Sequence, residues 1–252
     1  MRLTWLDSNS WLVELGSRTL LMDPWLVGSL MFGNLPWLFQ ATRPRALPWP
    51  EHLDLIVLSQ GLPDHAHPET LRALKERFPE VQVVASPRGA EVARQAGLTQ
   101  VTALAPGGVW SGMDLHIEAL LGAPVGPTQR ENAYLVRHPQ GSFYYEPHGY
   151  PSAALAERDP VDVVITPVQD LQLPLVGAII QGRHSIAQVA RWLTPKLIFP
   201  TAMAGEVEYR GLLTQGLQVV GNIESVEQEL GIPIIRPRVG VPIECGSQVA
   251  AS

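Results

Sequence analysis

Cysteine is nearly absent from this sequence: Cys245 is the only one among 252 residues. No intrachain disulfide can form, and a zinc site built from several thiolates is excluded. That usage suits a reducing compartment, and a cytoplasmic location is expected. Charge is sparse as well, at 17% of residues against about 25% in an average domain. With 18 basic and 24 acidic residues, the net charge of −6 leaves no broad phosphate-neutralising face, so nucleic acid is not an expected partner. Long apolar runs are missing too, and no stretch reaches the ~18 residues that suggest a membrane span. The two nearest, Pro24 to Phe39 and Leu171 to Ile180, are interrupted by Gly28, Gly33 and Pro36 or by Pro174. The opening MRLTWLDSNSWLVEL lacks a basic region followed by an apolar run and reads as a first strand of a mature protein. A GxSxG elbow, a phosphate loop and a dinucleotide fingerprint are all absent, which removes serine-hydrolase and nucleotide-binding readings. Cys245 sits in a Gly/Ser-containing tail without a basic neighbour, so it is not a candidate nucleophile.

What is present is an apolar chain, 46% hydrophobic, long enough to bury about 70% of its unfolded surface. No linker, repeat or low-complexity tract divides it, and one domain over residues 1–252 is expected. Apolar, β-branched or aromatic runs predict strands at Leu3–Leu6, Trp11–Leu15, Thr19–Met22, Leu55–Leu58, Gln82–Ala85, Leu115–Leu121, Tyr134–Arg137, Phe143–Tyr145, Val161–Ile165 and Leu197–Phe199. Helices are predicted at Pro68–Phe78, opened by a proline, Pro87–Ala96, closed by Gly97, Ser185–Leu193, closed before Pro195, and Glu224–Leu230, closed by Gly231. Strands that cluster early and then alternate with helices suit an α/β protein of the α+β kind, with two sheets face to face and helices outside. The 23 prolines and 22 glycines imply many ordered loops, where such a scaffold holds its chemistry.

One stretch concentrates chemistry. LDLIVLSQGLPDHAHPETLRAL places Asp64, His65 and His67 in a loop between the strand Leu55–Leu58 and a helix opened by Pro68. Imidazole and carboxylate side chains converging at a strand end suit zinc, manganese or iron, with water filling an open position. On the plainer reading, Asp64 caps the helix and His65 bonds nearby carbonyls. Asp23, before Pro24, is favoured as a turn residue ending its strand, with support of a metal ligand as the other reading. Arg183 and His184 precede a helix in which Ser185 is the expected cap. The aromatic residues Trp25, Phe32, Trp37 and Phe39 are best used in core packing, with a substrate cap, a dimer contact or a membrane surface as other uses.

The segment Leu3 to Leu26, with Asp23–Pro24–Trp25, resembles the opening strands of metallo-β-lactamase-fold hydrolases, in particular the sugar-lactone-hydrolase-like branch. The stretch Leu55 to His65 is similar to that family's strand and His-x-His-x-Asp-His loop, matching at Asp64 and His65. The resemblance implies a four-layer αβ/βα sandwich. It also implies departures. Gln60 and Leu62 stand at the first two histidine positions, Glu131 and Asn132 are the nearest substitutes for a later histidine, His148 takes the bridging aspartate's place beside Glu146, and Ala202 stands at the last histidine. Fold similarity does not carry activity by itself.

The expectation is a metal-dependent hydrolase-like protein acting on a small ester, lactone or phosphodiester-type substrate. Its reduced, single-metal site is drawn from Asp64, His65, His67 and His148, with Asp64 or Glu146 as the proton acceptor. Zinc is the first choice of ion, manganese or iron the alternatives, and no ion at all if the site is degenerate. The competing expectation is a non-catalytic descendant that binds a ligand or partner in the cavity left by the missing histidines. Peripheral membrane contact and homo-oligomerisation stay open.

Overall fold

Strand Leu55–Leu58 is buried on both faces, which is why its sequence is an unbroken apolar run rather than an alternating one. It pairs in parallel with Arg18–Met22 on one side and Gln82–Ala85 on the other. Trp11–Leu15, by contrast, alternates buried and half-buried residues as a strand with one covered face should. The structure, a computed structural model, describes residues 1–33, 35–126, 129–173 and 177–246. Pro174, within the Leu171 to Ile180 stretch, and the tail from Ser247 lie outside the described residues.

Two large sheets organise the chain. In the first, the order is Pro242–Glu244, Arg2–Trp5, Trp11–Leu15, Arg18–Met22, Leu55–Leu58, Gln82–Ala85 and Gln100–Ala103. In the second it is Leu197–Pro200, Val163–Thr166, Gly141–Tyr145, Gln129–His138, Leu115–Val125 and Val109–Gly112. Period-two alternation in the second sheet feeds two cores. Tyr134, Val136, Phe143, Tyr145 and Phe199 face the first sheet, while Ala133, Leu135, Tyr144, Val164 and Ile198 face outward under helices. Trp11 meets Phe199 edge-on between the sheets, with centroids 5.8 Å apart.

Helices α1 (Pro68–Arg77) and α2 (Pro87–Gln95) bury Leu71, Leu74, Ala90 and Ala93 in the core that includes the first sheet. Helix α3 (Gly182–Leu193) packs Ile186, Val189 and Leu193 against the outer face of the second, joined by Ile223 of α4 (Ile223–Leu230). Helix, sheet, sheet, helix is the expected four-layer αβ/βα sandwich. No described helix is long and apolar enough to cross a membrane.

Two small sheets lie outside this frame and had no counterpart in the sequence reading. One joins Glu208–Arg210, Gln40–Thr42 and Leu30–Met31; the other joins Gly177–Gln181, Asp170–Leu173 and Gln218–Val220. Their strands are short and mostly part-exposed; three of them fall within or overlap the interrupted apolar stretches Pro24 to Phe39 and Leu171 to Ile180, whose Pro and Gly residues hid the strand pattern. The aromatic segment from Trp25 to Phe39 is thereby tied to a strand far along the chain, with Trp25, Leu30, Ala41 and Val207 as its own small core. Trp25 is buried there as expected, whereas Trp37 is 65% exposed.

Candidate metal site

The loop after Leu55–Leu58 is held by Asp23. This aspartate is fully buried, with φ at +43°, and accepts hydrogen bonds from the Ser59 amide (2.7 Å), the Ser59 hydroxyl (2.5 Å) and the Tyr145 hydroxyl (2.7 Å). Its Oδ2 also stands 2.7 Å from His65 Nδ1. Asp23 ends its strand in a bend, as the favoured view had it, and these contacts add that it also supports an imidazole. Tyr145, from the second sheet, closes the arrangement, its hydroxyl standing 2.9 Å from the Asn9 carbonyl so that its one proton is shared between the two acceptors. Burial first, then the nearby carboxylates, push its phenol well above the ordinary range, so it remains a donor.

With Nδ1 engaged, His65 turns Nε2 toward Asp64 Oδ2 at 3.1 Å and Asn9 Nδ2 at 3.3 Å. His148 lies alongside, its ring centroid 5.0 Å from that of His65 and its own Nδ1 2.8 Å from Glu131 Oε2. Ligand atoms of Asp64, His65 and His148 all fall within 4.8 Å of one another. A carboxylate behind each imidazole engages Nδ1 and turns Nε2 to the opposite side. Electrostatics follow the same geometry. Burial alone would lower both histidines, but Asp64 and Asp23 raise His65 well above its usual value, and Glu131 raises His148. Burial opposes ionisation of Asp64, yet the neighbouring imidazoles, His65 first, hold it below the usual carboxylate range.

The chemistry of the unpaired atoms tests whether an ion fits. Among the described residues, Asn9 Oδ1, Gln60 Oε1, Asp64 Oδ1 and Glu131 Oε1 are buried without a hydrogen-bond partner. Every one is an acceptor oxygen, an arrangement that demands a cation or a donor. Asn9, Gln60, Asp64 and His148 line one cavity of about 870 Å³, so the demand is met from a space open to ligands.

Two sequence-predicted residues lie apart from this cluster. His67 is the N-cap of α1: its Nδ1 accepts from the Thr70 amide at 3.3 Å, and its Nε2 lies 3.3 Å from the Ser29 carbonyl. The cap expected of Asp64 is therefore made by His67. Glu146 is buried and commits Oε1 to the His148 amide at 3.0 Å and Oε2 to the amides of Gly149 (2.6 Å) and Tyr150 (3.0 Å). Burial and then Glu131 push it up to about 7. It shapes the turn that presents His148, a turn closed at Gly149, where φ is +81° and a Cβ would fall 2.4 Å from the Gln181 carbonyl oxygen. Ser185 does not cap α3, which starts at Gly182; Asp170 Oδ1 accepts from the Arg183 amide instead. Burial pushes the Cys245 thiol up to about 12, consistent with its exclusion as a nucleophile.

The roles of Asn9, Ser59 and Tyr145 escaped the sequence reading because they come from a turn, a loop and a strand far apart in the chain. Asp7, Ser8, Asp23 and Ala202 share a left-handed backbone around this site. Only the two aspartates tolerate that conformation readily, and such strain gathers where function over-determines the chain.

The profile of β-lactamase superfamily domains matches residues 2–202. The chain belongs to the metallo-β-lactamase superfamily. Solved structures agree on the fold at low identity. Igni18, a metallo hydrolase from Ignicoccus hospitalis, is 14% identical with a TM-score of 0.66, covering 96% of this chain and 98% of its own. The isothiocyanate hydrolase from Delia radicum gut bacteria is 18% identical with a TM-score of 0.71, covering 97% and 98%. YhfI from Bacillus subtilis, a metallo-β-lactamase fold protein, is 14% identical with a TM-score of 0.63, covering 96% and 99%. No curated protein matches the chain in sequence. Within the superfamily's loop, Gln60 is buried with its free Oε1, while Leu62 lines the cavity at 41% exposure and Ala202 lines it too.

Proposed function

We propose that the chain is a metal-dependent hydrolase acting on a small ester, lactone or phosphodiester-type substrate through a single-ion site. The observation that carries this is the convergence of Asp64, His65 and His148 within 4.8 Å, with two of the three at a cavity wall. Those three residues would hold the ion, zinc first because two imidazoles favour it, with manganese or iron as alternatives. Such an ion supplies a water of pKa near ~7 and polarises the scissile group. Asp23 and Glu131 keep the two imidazoles oriented and add negative charge behind them.

Asp64 takes the proton of the attacking water in this reading. It lines the cavity and keeps Oδ1 free, whereas both oxygens of Glu146 serve backbone amides and Glu146 does not line the cavity. Asn9, beside His65 Nε2, orients the substrate through its amide.

Leu62 and Ala202 favour a second reading, a ligand-binding descendant without metal, because they make the cavity more apolar where the superfamily carries histidines. One experiment separates the two. Protein purified without chelator is analysed for metal, alongside His65→Ala and His148→Ala. Stoichiometric metal that both substitutions remove is expected; its absence from the unsubstituted protein ends the hydrolase reading.

A further inference from the structure

The cavity over Asp64 and His148 is large for a three-residue site. Its volume of about 870 Å³ lies toward the top of the ~300–1,000 Å³ range of small-molecule cavities. The two small sheets outside the sandwich supply much of its wall: Leu30, Ala41 and Tyr209 from one, Leu171, Ile180 and Val219 from the other. Among the described residues, no lysine or arginine lines it. Arg43, the cation stacked on Trp25 at 4.2 Å, spends a guanidinium N–H on the Trp25 carbonyl and is not part of the wall. The carboxylates that do line it are Asp64 and Asp170.

A second observation points the same way. Leu62, Ile179, Leu213 and Val219 line this space yet are 36% to 64% exposed, an apolar surface that a ligand would cover. The polar atoms gather at one place, around His65, where Asn9, Asp64 and His148 meet. The remainder is mostly hydrocarbon, with Gln169, Asp170 and Thr214 among its polar members.

We infer that the ligand of this chamber is a neutral ester or lactone bearing a hydrocarbon chain, and that acyl groups with a carboxylate tail are excluded. Along the wall a charged tail would find Asp170 and, among the described residues, no lysine or arginine, and its desolvation would go uncompensated. The chain lies along the two small sheets and the carbonyl at Asp64 and His148. This assignment rests on the hydrolase reading for its chemistry and on the wall alone for its binding. In the reaction, the water oxygen bonds to the acyl carbon and the acyl C–O bond breaks. The leaving oxygen takes a proton, giving acid and alcohol without any redox partner.

Displacement of the neutral dye Nile red from the full chain tests the binding directly, with and without chelator. Ethyl esters from butanoate to decanoate should displace it with increasing strength, by up to about fourfold per methylene. Ethyl octanoate should act at a concentration about tenfold or more below that of monoethyl suberate, which ends in a carboxylate. Val219→Lys, at an exposed wall position, should narrow that difference. Equal or better displacement by the half-ester, or no dependence on chain length, overturns the assignment. Chain-length-dependent displacement without hydrolysis of ethyl octanoate would uphold it while ending the hydrolase reading. Hydrolysis of ethyl acetate with no preference for longer chains would do the reverse.

Discussion

His65 and His148 lie with ring centroids 5.0 Å apart, and each keeps its Nδ1 against a different buried carboxylate, Asp23 for one and Glu131 for the other. Without an ion, that pairing favours two protonated imidazoles side by side, which repel each other in a buried place. A divalent cation held by the two imidazoles and Asp64 would remove the conflict by taking the place of a proton on each ring. Binding of one zinc ion per chain should therefore release protons, with more released as the pH falls from 8 toward 6, and apparent affinity should fall in parallel. Calorimetry in buffers of different ionisation enthalpy measures both. Two ions per chain, or binding without proton release, would contradict the paired-imidazole site.

Asp23 holds three protein donors and one imidazole, so it acts on the site through others. Asp23→Asn keeps the shape but replaces one oxygen with a donor, and it weakens the bond that fixes His65. Zinc affinity should drop by roughly 10–100-fold. Stability of the metal-free protein should drop by about 1–3 kcal/mol, since buried groups lose their partners. Competition with a chromogenic chelator and urea unfolding read the two effects separately.

The sheets were legible in the sequence wherever a strand is buried, as at Leu55–Leu58 and Gln82–Ala85, because burial writes itself as an apolar run. Edge strands such as Gln100–Ala103 and Gln40–Thr42 are exposed or half-exposed and leave no such signature, and Leu171 to Ile180 was legible as an apolar stretch but not as strands. The same division runs through the site. Asp64 and His65 are adjacent in sequence and carry a motif, so they could be found. Asn9, Tyr145 and the support given by Asp23 arise from contacts across 56, 122 and 42 positions of chain. Gln60 and Leu62 told what the loop lacks; only the fold shows that Glu131 stands behind His148.

His67 offers a clean contrast with His65. Both sit in one loop, but His67 caps α1, stacks near Trp25 at 6.1 Å, and is driven below its usual pKa by burial. His67→Ala should cost about 1 kcal/mol, the typical worth of a helix cap, while leaving metal content at the unsubstituted level. Loss of stoichiometric metal in that variant would return His67 to the ligand set.

The pH dependence of the metal-free protein has a sign set by three groups. Glu146 is raised to about 7 by burial and Glu131, so its contribution is present below pH 4.5 and is lost as the pH rises toward 7. His65 and His148 are raised through their carboxylate partners against the effect of burial. Their contributions are complete below about 6.5 and disappear as the pH climbs through their folded values. These three act in one direction against His67, whose value burial lowers, so in chelator the protein should be more stable at pH 5.5 than at pH 8. Zinc favours the deprotonated imidazoles and opposes that slope, so the metal-loaded protein should gain most from the ion at pH 8. Urea midpoints at both pH values, with zinc or with chelator, check the sign. A metal-free protein that is more stable at pH 8 would mean that the carboxylates behind His65 and His148 do not hold their protons as the geometry requires.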